Sequence, residues 1–93
     1  MRFAFIIRGN YDSKRDRASI QNGTANIVGV SSLEDACAVA KELQEMGIDC
    51  IELCGAFEEK GAKAIIEATG GKIPIGYTVH LPEQDALFDQ FFG

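Results

Sequence analysis

Three side chains with chemically useful groups lie at or near the ends of two predicted strands: Glu52, Cys54 and His80. A thiol beside an imidazole base is the minimal arrangement of a cysteine nucleophile, and a carboxylate can orient the imidazole. If the two strands are neighbours, about 4.8 Å apart, Cys54 and His80 can approach each other. This spacing makes them a candidate catalytic pair, with Cys54 as the nucleophile and His80 as the base.

Both residues also have an ordinary structural interpretation. Cysteine is among the residue types most often buried, where it behaves as a small apolar side chain. A histidine at the end of a strand is often simply hydrogen-bonded to a neighbouring polar group. Whether the chain is an enzyme therefore stays open at this point.

Glu52 is unusual because a carboxylate in the middle of a strand has to be paired or solvated. Arg8, on another predicted strand, is its natural partner, and an ion pair across a subunit interface is one interpretation. A ligand-binding or catalytic carboxylate is the other. Glu52 and His80 supply too few ligands for a metal ion, so the sequence predicts no metal site.

A ligand site is expected at the carboxyl ends of the strands, because parallel sheets bind ligands there and helix N-termini at that edge favour anions. The ligand-binding residues that we predict are Arg8, Glu52, Gly55 and Thr78. The main functional hypothesis is a protein that binds a small polar or anionic metabolite. The alternatives are an enzyme that uses Cys54 and His80, and a structural or regulatory homo-oligomer without a ligand. The residues identify no cofactor.

The elements that would position these side chains alternate between strand and helix. The apolar patterns predict strands at residues 3–8, 24–30, 48–54 and 73–81, with helices after the last three. Ser31 to Glu34 is a capping box for the first helix. This order favours an α/β fold: a four-stranded, mainly parallel sheet with helices mainly on one face, similar to half of a (β/α) barrel. A doubly wound sheet and a ferredoxin-like α+β fold are the alternatives, and residues 10–22 are open between a helical turn, a parallel crossover and an antiparallel hairpin.

Alternation along the strands predicts a second sheet face that the helices leave bare. Its predicted members are Ala4, Ile6, Arg8, Cys50, Glu52, Cys54, Thr78 and His80. A one-sided parallel sheet is rare among monomers, so we expect another subunit to cover this face, with a dimer as the first guess. The aromatic tail with Phe88, Phe91 and Phe92 is a second candidate contact.

Composition narrows the partners and the compartment. The 93 residues and 10.1 kDa predict one α/β domain over residues 1–93. The net charge of −5 disfavours nucleic acid and anionic membrane surfaces. Apolar runs are too short to span a bilayer, and an odd cysteine count without a secretory signal argues against a disulfide framework. These features predict a cytoplasmic protein.

Two sequence blocks carry a family resemblance: Ile51–Phe57, IELCGAF, and His80–Phe88, HLPEQDALF. Together with Ile27–Val30 they resemble a small prokaryotic family of similar length that has no assigned activity. The resemblance implies a stand-alone domain, and it supplies no catalytic residues that could be carried over.

Overall fold

The computed structural model describes residues 1–92, and these contain one sheet of five strands and three α-helices. The strands are β1 (Phe3–Arg8), β2 (Arg17–Ile20), β3 (Ala25–Val30), β4 (Cys50–Leu53) and β5 (Ile75–Tyr77). The helices are α1 (Leu33–Glu45), α2 (Glu58–Ala68) and α3 (Asp85–Phe92). Short 3-10 turns at Gly55–Phe57 and Pro82–Gln84 precede α2 and α3.

The strand order is β2-β3-β1-β4-β5, and β1, β3, β4 and β5 run parallel. The predicted mainly parallel α/β sheet is confirmed, but the predicted number of four strands is wrong. The additional strand is β2, which lies within residues 10–22 and pairs antiparallel with β3. The chain reverses between β2 and β3 through Gln21, Asn22 and Gly23, whose φ angles are 51°, 55° and 84°.

Helices α1 and α2 pack against the same face of the sheet. The buried strand residues on this face are Ala4, Ile6, Val28, Val30, Ile51 and Leu53. From α1, Ala36 and Ala40 contribute only methyl groups, so the helix can lie close to the strands. The doubly wound alternative does not describe this arrangement, because α1 and α2 share one face.

The structure corrects the predicted faces of β1. Ala4 and Ile6 lie under the helices, and Arg8 has their parity, so the prediction that these residues share a face with Glu52 is wrong. The parallel register pairs Glu52 with Phe5. Because β1 is apolar on both sides, alternation alone could not show which side the helices cover.

The opposite side of the sheet is in contact with neither α1 nor α2, and we call it the open face. Its side chains are Phe3, Phe5, Ile7, Ala18, Ile20, Ala25, Ile27, Cys50 and Glu52. One row crosses all the described strands in the order Ala18, Ile27, Phe5, Glu52 and Gly76. The open face is therefore apolar at its centre, with one carboxylate on the side of β5.

The first turns of α1 and α2 contain the types of interaction that the sequence indicates, a serine cap and an ion pair. The N-cap of α1 is Ser32, whose hydroxyl accepts a hydrogen bond from the Asp35 amide at 3.0 Å. The predicted box began one residue earlier, at Ser31. On α2, the Lys63 ammonium lies 2.9 Å from the Glu59 carboxylate, as the i,i+4 spacing predicts.

After β5 the chain leaves the body of the protein. Every residue from 78 to 92 is exposed, and we call this segment the C-terminal arm. It contains α3, whose apolar side chains include Leu87, Phe91 and Phe92, each more than half exposed. Strand β5 is shorter than the predicted 73–81, because its described pairing partner, β4, ends at Leu53. Within residues 1–92, every helix is too short or too polar to cross a membrane.

Candidate functional site

Four of the predicted site residues meet at the carboxyl edge of β1, β4 and β5. The Arg8 amide donates a hydrogen bond to the Cys54 Sγ at 3.3 Å. The Thr78 amide donates to the Leu53 carbonyl at 2.9 Å, which fixes Thr78 next to the end of β4. A Cβ atom on Gly55 would lie 3.3 Å from the Thr78 carbonyl oxygen. Arg8, Cys54, Gly55 and Thr78 thus form one cluster, which we call the edge cluster.

The Arg8 side chain differs from the other three arginines of the chain. Its guanidinium is exposed and has no hydrogen bond or ion pair to any residue in the range 1–92. Arg2 donates hydrogen bonds to the Gly23 and Met46 carbonyls. Arg15 forms an ion pair with Asp12, and Arg17 forms one with Glu42. Arg8, whose amide belongs to the edge cluster, therefore carries a positive charge that the described part of the chain does not neutralise.

Glu52 lies outside the edge cluster, on the open face. Its carboxylate lies over Gly76, where a Cβ atom would be 2.7 Å and 2.9 Å from the two oxygens. Within residues 1–92 of one chain, Glu52 and Arg8 form no ion pair, since the two residues have opposite parity and point to different sides of the sheet. The ion pair across a subunit interface stays a prediction. The missing side chain at position 76 gives the Glu52 carboxylate its space.

His80 lies on the C-terminal arm, where it makes contacts within that segment. Its Nε2 lies 2.7 Å from the Asp85 Oδ1, and its ring stacks on the Phe88 ring with centroids 3.9 Å apart and planes 6° from parallel. Across residues 1–92, no hydrogen bond joins His80 to Cys54. The assignment of these two residues as nucleophile and base stays a prediction.

The cysteines are free thiols in different surroundings. Burial raises the pKa of the Cys37 and Cys50 thiols above the ordinary value, and the nearby Glu52 carboxylate raises the pKa of Cys50 further. Cys54 instead accepts the Arg8 amide at the edge cluster. In the described part of the chain, no three side chains of the His, Cys, Asp and Glu types come together as metal ligands.

Tyr11 lies at the carboxyl ends of β1 and β3, and sequence reasoning did not single it out. Its ring lies against Gly9 and Gly29, where added Cβ atoms would come within 2.7 Å and 2.5 Å of ring carbons. Both glycines have the parity of the open face, so Tyr11 closes that face at the ends of β1 and β3. The glycines were the available signal, because a strand glycine often marks the close approach of another group.

The comparisons with known proteins identify a family but no activity. A family model described as "Family of unknown function (DUF6506)" matches residues 1–93, so the chain belongs to this family. The resemblance to a small uncharacterised domain family is confirmed. Neither a curated protein nor a solved structure matches the chain.

Proposed function

We propose that this protein binds a small anionic molecule, a carboxylate or a phosphate, at the edge cluster. The observation that carries the proposal is the exposed Arg8 guanidinium, which lacks a partner within residues 1–92. A guanidinium presents several N–H donors in a planar fork that matches carboxylate and phosphate oxygens. The Thr78 hydroxyl and the chain around Gly55 would supply neutral polar contacts beside it. Glu52 and His80 are not part of the proposed site.

The structure also limits how tightly an anion can be held. The first turns of α1 and α2 carry acidic residues, namely Glu34, Asp35, Glu58 and Glu59. These carboxylates offset the positive ends of the helix dipoles, which would otherwise attract an anion. Affinity would therefore depend on Arg8 and on geometric fit more than on the helix termini.

The test compares two variants that remove the same charge. Thermal unfolding of the wild type, Arg8→Ala and Arg15→Ala is measured with inorganic phosphate, citrate and a panel of small carboxylates and phosphate esters. Arg15 is the matched control, since it is exposed and lies on a turn with Asp12 as its ion-pair partner.

A ligand that binds only the folded chain adds about 2.7 kcal/mol of stability at 100 times its Kd. We expect at least one compound to raise the melting temperature of the wild type and of Arg15→Ala, but not of Arg8→Ala. The proposal is wrong if no compound of the panel stabilises the wild type. It is also wrong if Arg8→Ala keeps the full shift.

We also propose that the protein is a homo-oligomer, with a dimer as the simplest form. The observation that favours this second function is the open face, where Ile20 and Ile27 are 70% and 41% exposed beside the half-buried Phe3 and Phe5. Contiguous apolar surface of this kind is typical of interfaces. Closed two-fold dimers are the commonest assemblies of soluble homo-oligomers.

Sedimentation velocity of two isoleucine variants tests this association. Ile27 on the open face and Ile66 on α2 are 41% and 40% exposed, so arginine at either position has similar access to water. We expect the wild type and Ile66→Arg to be dimeric at micromolar concentration, and Ile27→Arg to be monomeric. A monomeric wild type at 100 times that concentration, or equal behaviour of the two variants, would contradict the proposed dimer.

A further inference from the structure

We propose that the outer edge of β5 pairs with the same edge of a second copy, which brings His80 of one chain to Glu52 of the other. We call this pairing the edge contact, and it is separate from the proposed contact at the open face. In the strand order β2-β3-β1-β4-β5, Ile27 on β3 lies three strands away from it. With both contacts, two open-face dimers would join into a tetramer with two-fold symmetry.

The sequence after β5 continues a strand pattern that the single chain does not use. Apolar side chains alternate from Ile75 and Tyr77 to Val79 and Leu81, although β5 ends at Tyr77. Val79 and Leu81 are 77% and 66% exposed, and the backbone of Leu81 is extended, with φ −67° and ψ 145°. Such alternation is typical of a strand with one buried side. Residues 79–81 therefore have the pattern of a strand that has no partner strand within residues 1–92.

The backbone of this segment has one paired side and one free side, because β5 is the last strand of the sheet. The Ile51 amide donates to the Pro74 carbonyl at 3.0 Å, and the Thr78 amide donates to the Leu53 carbonyl at 2.9 Å. Backbone groups alternate in direction along a strand, so the groups of every second residue face away from β4. These residues are Ile75, Tyr77, Val79 and Leu81.

The segment is self-complementary in one register. Antiparallel pairing about a two-fold axis at Thr78 places Ile75 opposite Leu81 and Tyr77 opposite Val79. All the outward backbone groups then have partners, with about eight main-chain hydrogen bonds in total. A register shifted by two residues either way would leave one of these residues unpaired. The apolar side chains of both copies lie on the side of α1 and α2, where Ile75 and Tyr77 already pack against the core.

The same register gives the Glu52 carboxylate a partner. Within residues 1–92 it forms no ion pair, and it lies over Gly76, where a Cβ atom would be 2.7 Å and 2.9 Å from its oxygens. Position 80 of the second copy lies directly opposite Gly76, on the side of the open face. Since Cβ atoms opposite each other are about 4.5–5.5 Å apart, the imidazole of the second copy reaches the carboxylate across the gap that Gly76 leaves.

His80 has a free ring nitrogen for this contact. Its Nε2 pairs with the Asp85 Oδ1 at 2.7 Å and its ring stacks on Phe88, whereas Nδ1 has no hydrogen bond within residues 1–92. Within one chain, His80 is four residues from Gly76, about 13 Å along an extended strand, so its own Glu52 is out of reach. The carboxylate and the imidazole therefore meet only between two copies.

Engineered cysteines test the register, in a background with the three native cysteines changed to alanine. Thr78→Cys puts a thiol on the two-fold axis, where opposite Cα atoms are about 4.5 Å apart and within disulfide reach. Val79→Cys is the matched control, because its two copies are offset by about 7 Å along the strands and lie outside that reach. Both positions are exposed, and circular dichroism checks that each variant keeps the fold of the background.

Oxidation with copper–phenanthroline at about 1 mM protein is followed by non-reducing gel electrophoresis. We expect Thr78→Cys to form a covalent dimer at least about tenfold faster than Val79→Cys. Equal rates, or no covalent dimer of Thr78→Cys, would overturn the edge contact. The difference should persist when Ile27→Arg is added. Preferential cross-linking of Thr78→Cys together with association that Ile27→Arg leaves unchanged would keep the edge contact and overturn the contact at the open face.

Sedimentation equilibrium of Ile27→Arg isolates the edge contact. Pairing orders residues 79–81 in both chains, so we expect this contact to be weaker than the open-face contact and to appear above micromolar concentration. Glu52→Gln and His80→Gln should each weaken the edge dimer at least about twofold, and the double change should weaken it little further. Fully additive effects would overturn the contact between Glu52 and His80.

Discussion

The contact between Tyr11 and Gly29 gives a sharp test of packing on the open face. A Cβ atom at position 29 would lie 2.5 Å from Cγ and 2.7 Å from Cβ of Tyr11, close to the Tyr11 backbone. Tyr11 cannot yield there by a small side-chain rotation. Gly76→Ala is the matched control, since its Cβ would meet the Glu52 carboxylate oxygens at 2.7 Å and 2.9 Å, the far end of a flexible side chain.

Overpacking of this kind costs about 1–3 kcal/mol, and the lower chain entropy of alanine returns about 0.4–1 kcal/mol. We therefore expect Gly29→Ala to lower the free energy of unfolding by about 1–2 kcal/mol, and Gly76→Ala to change it by less than about 0.5 kcal/mol. With a urea m-value of about 1 kcal/mol/M for a chain of this size, the Gly29→Ala midpoint falls by about 1–2 M.

Urea unfolding followed by circular dichroism measures these differences, at one protein concentration because association stabilises the folded chain. The same glycine change is then made in a Tyr11→Ala background. If Tyr11 is the obstacle, most of the penalty disappears there, and the coupling is about 0.5–3 kcal/mol. Equal penalties in both backgrounds, or equal effects of the two glycine variants, would refute the packing described for Tyr11.

Three further predictions concern the core, a helix cap and pH. Leu53→Ala, at a fully buried position of β4, should lower the free energy of unfolding by about 2–5 kcal/mol in urea, whereas Ile66→Ala at the surface should change it far less. Ser32→Ala, which removes the hydroxyl acceptor of the Asp35 amide, should cost about 1 kcal/mol in the same assay, and Ser31→Ala much less. Burial raises the pKa of the Cys37 and Cys50 thiols, so the neutral form is favoured in the folded chain. This contribution to the free energy of unfolding is fully present below the thiol pKa of the unfolded chain, and it is lost as pH rises through the thiol pKa values of the folded chain. Above pH 9 the urea midpoint should therefore decline less in a Cys37→Ala, Cys50→Ala variant than in the wild type.

The parts of the fold that the sequence predicted have strong local signals. Helix α1 has a serine cap and an apolar stripe, and Ile51 and Leu53 alternate clearly with Cys50 and Glu52. Such patterns follow directly from helical and strand periodicity. The i,i+4 pair of Glu59 and Lys63 was predictable for the same reason, because it depends only on neighbours along one helix.

Strand β2 was missed because its four residues are mostly exposed and alternate weakly. Arg17, Ala18 and Ser19 do not form an apolar face, and β2 lies at the edge of the sheet, where tertiary pairing outweighs propensity. The Asn22-Gly23 dipeptide was the available signal, since this pair favours tight reversals between antiparallel strands. Interpreted as a hairpin turn, the Asn22-Gly23 dipeptide predicts one strand before it and one strand after it.

The candidate site was predictable where it depends on the direction of the strands. It was unpredictable where it depends on the face that the helices cover and on where a strand ends. Parallel strands bring Arg8, Cys54 and Thr78 to one edge whatever their register, and these residues do meet there. Whether Arg8 lies on the same side of the sheet as Glu52 depends on which face of β1 the helices cover, and both faces of β1 are apolar. The position of His80 depends on the end of β5, three residues earlier, after which strand alternation no longer applies.

The proposed anion site at the edge cluster and the proposed dimer contact at the open face use different parts of the chain. Thr78 is the first residue of the arm, but its amide is fixed to the Leu53 carbonyl of β4. A ligand that contacts the Thr78 hydroxyl therefore meets a position held by the sheet, whatever the direction of α3. Arg8 has the parity of the strand residues under the helices, and the open face lies on the other side of the sheet. Loss of the Arg8 charge should thus leave the dimer intact, and loss of the dimer should leave the anion site intact, because no side chain contributes to both.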